Sequence, residues 1–259
     1  MNRRKTIFRL DKSIQIIDMA VKNLLLIGVI LISVFALFIL YENYQIVRHA
    51  DSARYAQYKP TAEDRYSFEE LRKINPEVIG WITIEDTNID YPLLQASDND
   101  KYINTDVMGE FSLTGSIFLD YRSSPDFSDT VSIIYGHDME ADKMFGGFHL
   151  FQEASYFQEH RKGTLYHDGE YEEMEIFAFL ETSGYNAVVY DLTVGQDRLS
   201  DWLHSLEHLF LRSTGQLPGK GRVVLLSSCE AGVTDGRLVL AVQLHKGGKP
   251  PAKKAQKRG

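Results

Sequence analysis

The sequence predicts a mainly β protein. It reads as a closed eight-stranded barrel with N-terminal helices and one long helix before the cysteine strand, all preceded by a single transmembrane helix. Three observations carry that reading. Eight short β-prone runs, turned by Gly, Asn and Asp, follow one another between residues 75 and 245. An unbroken apolar run of 18 residues occupies 24–41. The chain has a single cysteine, so no intramolecular disulfide can form. The fold must rest on its core, for which 44% hydrophobic and 12% aromatic residues supply the material.

Residues 1–22 form a basic tail, with Arg3, Arg4, Lys5, Arg9, Lys12 and Lys22 against Asp11 and Asp18. The apolar run that follows would make about 27 Å of helix, close to the roughly 30 Å of a bilayer's hydrocarbon core. With the basic excess before it, residues 23–41 read as an uncleaved signal-anchor. The tail is then expected in the cytoplasm and the rest outside, a single-pass type II arrangement at the cell membrane. A cleaved signal peptide is disfavoured: its apolar region is usually 7–15 residues, and no A-x-A-like site follows Tyr41.

Residues 42–74 are polar and tyrosine-containing, and read as a helical stalk broken at Pro60 and resumed from Ser67 to Ile74. The barrel is expected over 75–245, with strands at Val78 to Ile84, Ile89 to Leu94, Ser116 to Asp120, Val131 to Tyr135, Arg161 to His167, Tyr171 to Leu180, Arg222 to Ser227 and Leu238 to Leu244. One helix interrupts them. In QDRLSDWLHSLEHLFLR, Leu199, Trp202, Leu203, Leu206, Leu209 and Phe210 draw a single apolar stripe. Residues 246–259 are basic and contain two prolines, and read as a disordered tail. The two ends carry +4 and +6 of a net charge of −8, so residues 23–245 hold −18. An acidic globule argues against nucleic acid as a partner.

Chemistry concentrates at three strand ends. Cys229 closes the run Val223-Val224-Leu225-Leu226-Ser227-Ser228, Arg237 opens the next strand, and His137 follows the strand that ends in Tyr135-Gly136. A thiol, an imidazole and a guanidinium suit a nucleophile, a proton-transfer group and an anion stabiliser. A lone cysteine is more often a small buried hydrophobe, so it is the combination that carries meaning. The chain resembles the sortases, cysteine transpeptidases of Gram-positive cell surfaces, and most of all class B. NPEVIGWI (75–82), IDYPLLQASDNDKYI (89–103), GSIFLD (115–120), IIYGHDM (133–139) and LSSCE followed by DGRLVLA fall in that family's order. The family's usual TLxTC reads Leu225-Leu226-Ser227-Ser228-Cys229 here, with a hydroxyl retained beside the cysteine.

The resemblance implies the sortase barrel and a reaction: cleavage of a C-terminal sorting signal and transfer of the acyl end to an amine. Catalytic roles fall to Cys229, His137 and Arg237, with the Ser228 hydroxyl and the Glu230 backbone N–H as candidate oxyanion or substrate-positioning donors. Asp138 and Asp120 are the weaker candidates for orienting His137. The expected partners are surface or pilin proteins bearing a sorting signal, and an amine acceptor that is either a peptidoglycan cross-bridge or a pilin lysine. No cofactor or metal is implied: His160 with His167, and His204 with His208, lack further ligands at zinc-like spacing. Two alternatives compete. A papain-like amidase or peptidase would place its cysteine early, at a helix start, with the histidine downstream. A membrane-tethered binding module would carry Cys229 incidentally.

Overall fold

The computed structural model describes residues 2–62, 64–229 and 235–250. Helix α1, Asn2–His49, contains the apolar span Ile17–Tyr41, long enough to cross a membrane. The chain divides into two compact units, residues 1–45 and 46–259.

The second unit is the barrel. Its strands are β1 (Val78–Ile84), β2 (Asp90–Leu94), β3 (Ile117–Leu119), β4 (Val131–Gly136), β5 (Lys162–His167), β6 (Glu170–Ser183), β7 (Arg222–Cys229) and β8 (Gly236–Lys246). Hydrogen bonding runs β8-β7-β4-β3-β2-β1-β5-β6, and β6 then pairs with β8 to close the ring. Closure removes the unpaired edges that an open sheet would expose. Two neighbouring pairs are parallel, β2 with β3 and β4 with β7; the other six are antiparallel.

Strand alternation divides the apolar residues between two faces. Val224 and Leu226 of β7, with Leu238 and Leu240 of β8, point into the barrel and meet Ile82, Leu93, Ile134 and Phe179. Val223 and Leu225, with Val239 and Ala241, face outward beneath α4 (Leu199–Leu206), which covers them with Trp202, Leu203 and Leu206. The interior is completed by the segment after β4. There a tight hairpin, Asp138–Met139 against Lys143–Met144, delivers Phe145, Phe148 and Phe151 to the interior cluster, all fully buried. Helix α2 (Tyr66–Ile74) buries Phe68 and Leu71 in a third cluster with Trp81 and Tyr166, and the short helix α3 (Ala154–Glu159) adds Phe157 to the interior cluster.

Two stretches depart from the sequence reading. The amphipathic stripe extends through Phe210, but α4 ends at Leu206; a 3-10 turn follows, and Phe210–Ser213 becomes an edge strand paired with β6. Phe, Leu and Arg there take the free edge of β6 in preference to another helical turn, a tertiary choice that periodicity cannot register. The stalk also ends early. Helix α1 stops at His49, well before Pro60, because the chain folds onto the barrel: Ala50 is buried, its carbonyl accepts the Tyr91 hydroxyl at 2.8 Å, and the Asp51 carboxylate caps the next turn at the Ala53 N–H.

Candidate active site

The pairing of β7 with both its neighbours sets the geometry. In the parallel β4–β7 ladder the last pair is Gly136 with Ser228, so positions 137 and 229 follow together at the same end. In the antiparallel β7–β8 ladder Cys229 pairs with Arg237. His137, Cys229 and Arg237, separated by up to a hundred residues in sequence, therefore occupy one rung across three adjacent strands. The structure describes Cys229 as the last residue of β7; its side chain, and Glu230, lie outside the described residues.

His137 is clamped on both sides. Its Nε2–H donates to the Ile103 carbonyl at 2.8 Å, since a carbonyl can only accept. Its own carbonyl accepts the Phe145 N–H at 2.9 Å. The preceding residue must be glycine, because a Cβ on Gly136 would stand 2.7 Å from the Phe145 ring. Arg237 is half-buried, with Nη1 donating to the Gly236 carbonyl at 2.8 Å. Its guanidinium passes over Gly184, where an added Cβ would come within 3.1 Å of Cζ. Among the described residues Arg237 forms no ion pair, which leaves its charge for the cavity.

That cavity, about 460 Å³, is lined by Ile103, Arg122, Tyr135, His137, Ser227 and Arg237 among others. It adjoins a cleft of about 540 Å³ under the loop between β6 and α4, and Arg122, Gly184 and Tyr190 line both. The cavity's hydroxyl from the cysteine strand is Ser227, bonded to the Tyr190 hydroxyl at 2.9 Å. Ser228 sits on the alternate face of β7, buried with Val224 and Leu226 toward the barrel interior. The period of two separates the serines, and the Ser228 hydroxyl is not among the groups lining the cavity.

Asp120 holds the cavity wall together, binding Arg122, Asn99 and Tyr135, which all line it. Fully buried, its carboxylate accepts Nε and Nη2 of Arg122 at 2.9 and 2.8 Å, Nδ2 of Asn99 at 3.0 Å and the Tyr135 hydroxyl at 3.1 Å. Burial alone would raise its pKa, but the bonds from Arg122 and Asn99 outweigh it and hold the carboxyl below its usual range. Burial and the Asp120 charge push the Tyr135 hydroxyl up, so it stays a neutral donor. Asp138, on the hairpin after His137, does not line the cavity. Among the described residues no group of three or more His, Cys, Asp or Glu is placed to hold a metal.

Sequence reasoning missed Ser227, Tyr190, Arg122 and Gly184. Counting alternate residues along β7 would have separated Ser227 from Ser228. The other three depend on how loops fold back, which leaves no periodic trace.

Against known proteins, no family model matches. The sortase B of Listeria monocytogenes is 32% identical over 214 residues, covering 79% of this chain and 87% of the relative. The chain belongs to the sortase family and is class B-like. Solved structures agree: the sortase B of Bacillus anthracis, in complex with AAEK1, superposes with a TM-score of 0.68 at 31% identity, over 80% of this chain and 99% of that one. The sortase B from the type II pilus of Streptococcus pneumoniae gives a TM-score of 0.60 at 38% identity, over 70% and 99%. This sortase is accordingly a cysteine transpeptidase.

The Asp120 network predicts an acid-dependent contribution to stability. A carboxyl with a lowered folded pKa stabilises the fold above the unfolded value near 3.9, and that contribution fades as pH falls through the folded value. Asp120→Asn should cost about 2 kcal/mol near neutral pH, the scale of hydrogen bonds to a charged group. Melting curves from pH 7 down to pH 2 check this: the gap between wild type and variant should narrow below about pH 4, whereas a constant gap would remove charge from the explanation.

Proposed function

We propose that Cys229 is the nucleophile, His137 the general acid and base, and Arg237 the stabiliser of the oxyanion or substrate backbone. The observation that supports this most is the shared rung: β4, β7 and β8 bring these three positions to one end of the barrel, with His137 and Arg237 lining one cavity.

The chemistry needs all three. The Cys229 thiolate attacks the scissile carbonyl, and the negative charge that develops on oxygen is met by Arg237 and the backbone N–H of Glu230. The C–N bond then breaks. An amine leaves only when protonated, and His137 supplies that proton, leaving a thioester on Cys229. An incoming amine attacks the thioester, His137 takes its proton, and the C–S bond breaks to release the new amide and the thiolate. Ser227, held by Tyr190, is the strand hydroxyl that faces this process, in place of Ser228.

The donor substrate is a surface or pilin protein with a C-terminal sorting signal, and the acceptor is a primary amine. Anchoring to a peptidoglycan cross-bridge is the first reading. Transfer to a pilin lysine is the second, favoured by 38% identity to the sortase B of the pneumococcal type II pilus. Mass spectrometry of products formed by the full-length enzyme in detergent, offered a glycine amine and a pilin in parallel, decides between them.

Substitutions separate the roles. Cys229→Ala should abolish cleavage and transfer, since the chain holds no other thiol. Persisting turnover would end this reading, and retained binding without turnover in wild type would favour a tethered binding module. Removing His137 should lower kcat/KM by roughly 10²- to 10⁴-fold. Arg237→Lys keeps the charge but loses the planar fork, and should lower kcat by about 10²- to 10³-fold without altering Tm.

We further propose that residues 24–41 anchor the enzyme in the cell membrane with the barrel outside, on the strength of the basic residues in 1–22 and the apolar span Ile17–Tyr41. Protease added to intact wall-less cells should digest the domain beyond residue 42; protection of that domain would reverse the orientation.

A further inference from the structure

Arg122 is held in a way that the catalytic roles above do not explain. It lies three residues beyond β3, and the Asp120 carboxylate fixes it through three bonds: Nε and Nη2 to the two carboxylate oxygens, and its backbone N–H to Oδ1 at 2.9 Å. The carboxylate is itself pinned by Asn99 and Tyr135, so the guanidinium plane cannot swing. A guanidinium carries five N–H donors. Nη1 makes no hydrogen bond among the described residues, and Nη2 has a second hydrogen facing the same outer edge. The side chain is 46% exposed although its partner carboxylate is fully buried. One face of the guanidinium lies over the Tyr121 ring at 5.9 Å, a contact that leaves the edges open.

The outer edge has a place to act. Arg122 lines the cavity that holds His137 and Arg237, and it also lines the adjoining cleft formed by Tyr185, Tyr190, Asp191 and Thr193. With Gly184 and Tyr190 it is shared by the two, where the cleft opens toward the rung. The Asp120 charge cancels that of Arg122, so the pair offers directed donors with little net field. That chemistry favours a neutral carbonyl oxygen over a free anion.

We propose that Arg122 is a substrate-binding residue, its outer guanidinium edge hydrogen-bonding a carbonyl oxygen of the sorting peptide. The proposal rests on the sortase reading above. The carbonyl belongs either to the peptide backbone or to an Asn or Gln side chain. Asp120, Asn99 and Tyr135 act through Arg122 as positioning residues.

The test uses full-length enzyme in detergent and a quenched fluorogenic peptide library randomised over five positions. Wild type, Arg122→Ala and Arg122→Lys are compared, with Tm and the rate of Cys229 alkylation by iodoacetamide as controls. Both variants should lose about 10- to 100-fold in kcat/KM, the scale of a hydrogen bond to a charged group. The loss should lie in KM, with kcat and alkylation rate near those of wild type. Arg122→Lys should share it, because an ammonium cannot bond Asp120 and present a second edge together. A uniform loss across the library assigns the backbone carbonyl; a loss confined to peptides with Asn or Gln at one position assigns the side chain. Wild-type kcat/KM in both variants would overturn the proposal and leave the sortase reading intact, as would a loss that only tracks a fall in Tm. A wild-type enzyme that cleaves no peptide would overturn both.

Discussion

The parallel pairing of β4 with β7 is the constraint on which the rest depends. Two strands running the same way deliver both of their C-terminal ends to one rim of the barrel. The antiparallel return of β8 brings its N-terminal end to the same rim. His137, Cys229 and Arg237 are then neighbours without any of them being close in sequence. A slip of one residue in either ladder would turn every side chain of β7 to the other face. Val224 and Leu226 would leave the interior and Ser227 would leave the cavity, so burial of the core and placement of the site are enforced by the same register.

A second constraint keeps the rim in shape. The segment after His137 must turn back at once to place Phe145 against Gly136 and to send Phe148 and Phe151 into the barrel. It does so through left-handed backbone at Ala141, Asp142 and Met144, conformations disfavoured for side chains with a Cβ. Such strain persists where surrounding packing over-determines it, and the aromatic plug supplies that packing. On the opposite wall, buried Asp120 is tolerated because every side of its carboxylate meets a donor. Core packing and one satisfied buried charge thus hold the cavity from two directions.

Much of this was legible in the chain, for identifiable reasons. The eight strands announce themselves because each is a short run of β-branched and aromatic residues bounded by turn formers. His137, Cys229 and Arg237 stand out because rare chemistry sits beside strand ends. What composition and period do not encode is which strands pair and in what direction, so the shared rung was invisible. Asp120 lay within a motif that was noticed, yet its partners Asn99, Arg122 and Tyr135 come from three separate segments. The helix stripe over-ran its end at Leu206 because Phe210 satisfies a helical period and a strand edge equally well. Ser228 was favoured over Ser227 by adjacency to the cysteine, where alternation was the governing rule.

The central claim is that acyl transfer passes through Cys229. Intact-protein mass spectrometry tests it most directly, with full-length enzyme mixed with a cleavable sorting peptide while no amine acceptor is present. The account predicts an adduct equal in mass to the N-terminal acyl fragment, mapped to Cys229, and discharged when a primary amine is added. Consumption of the peptide with the enzyme unmodified throughout, or an adduct on any other residue, would contradict it.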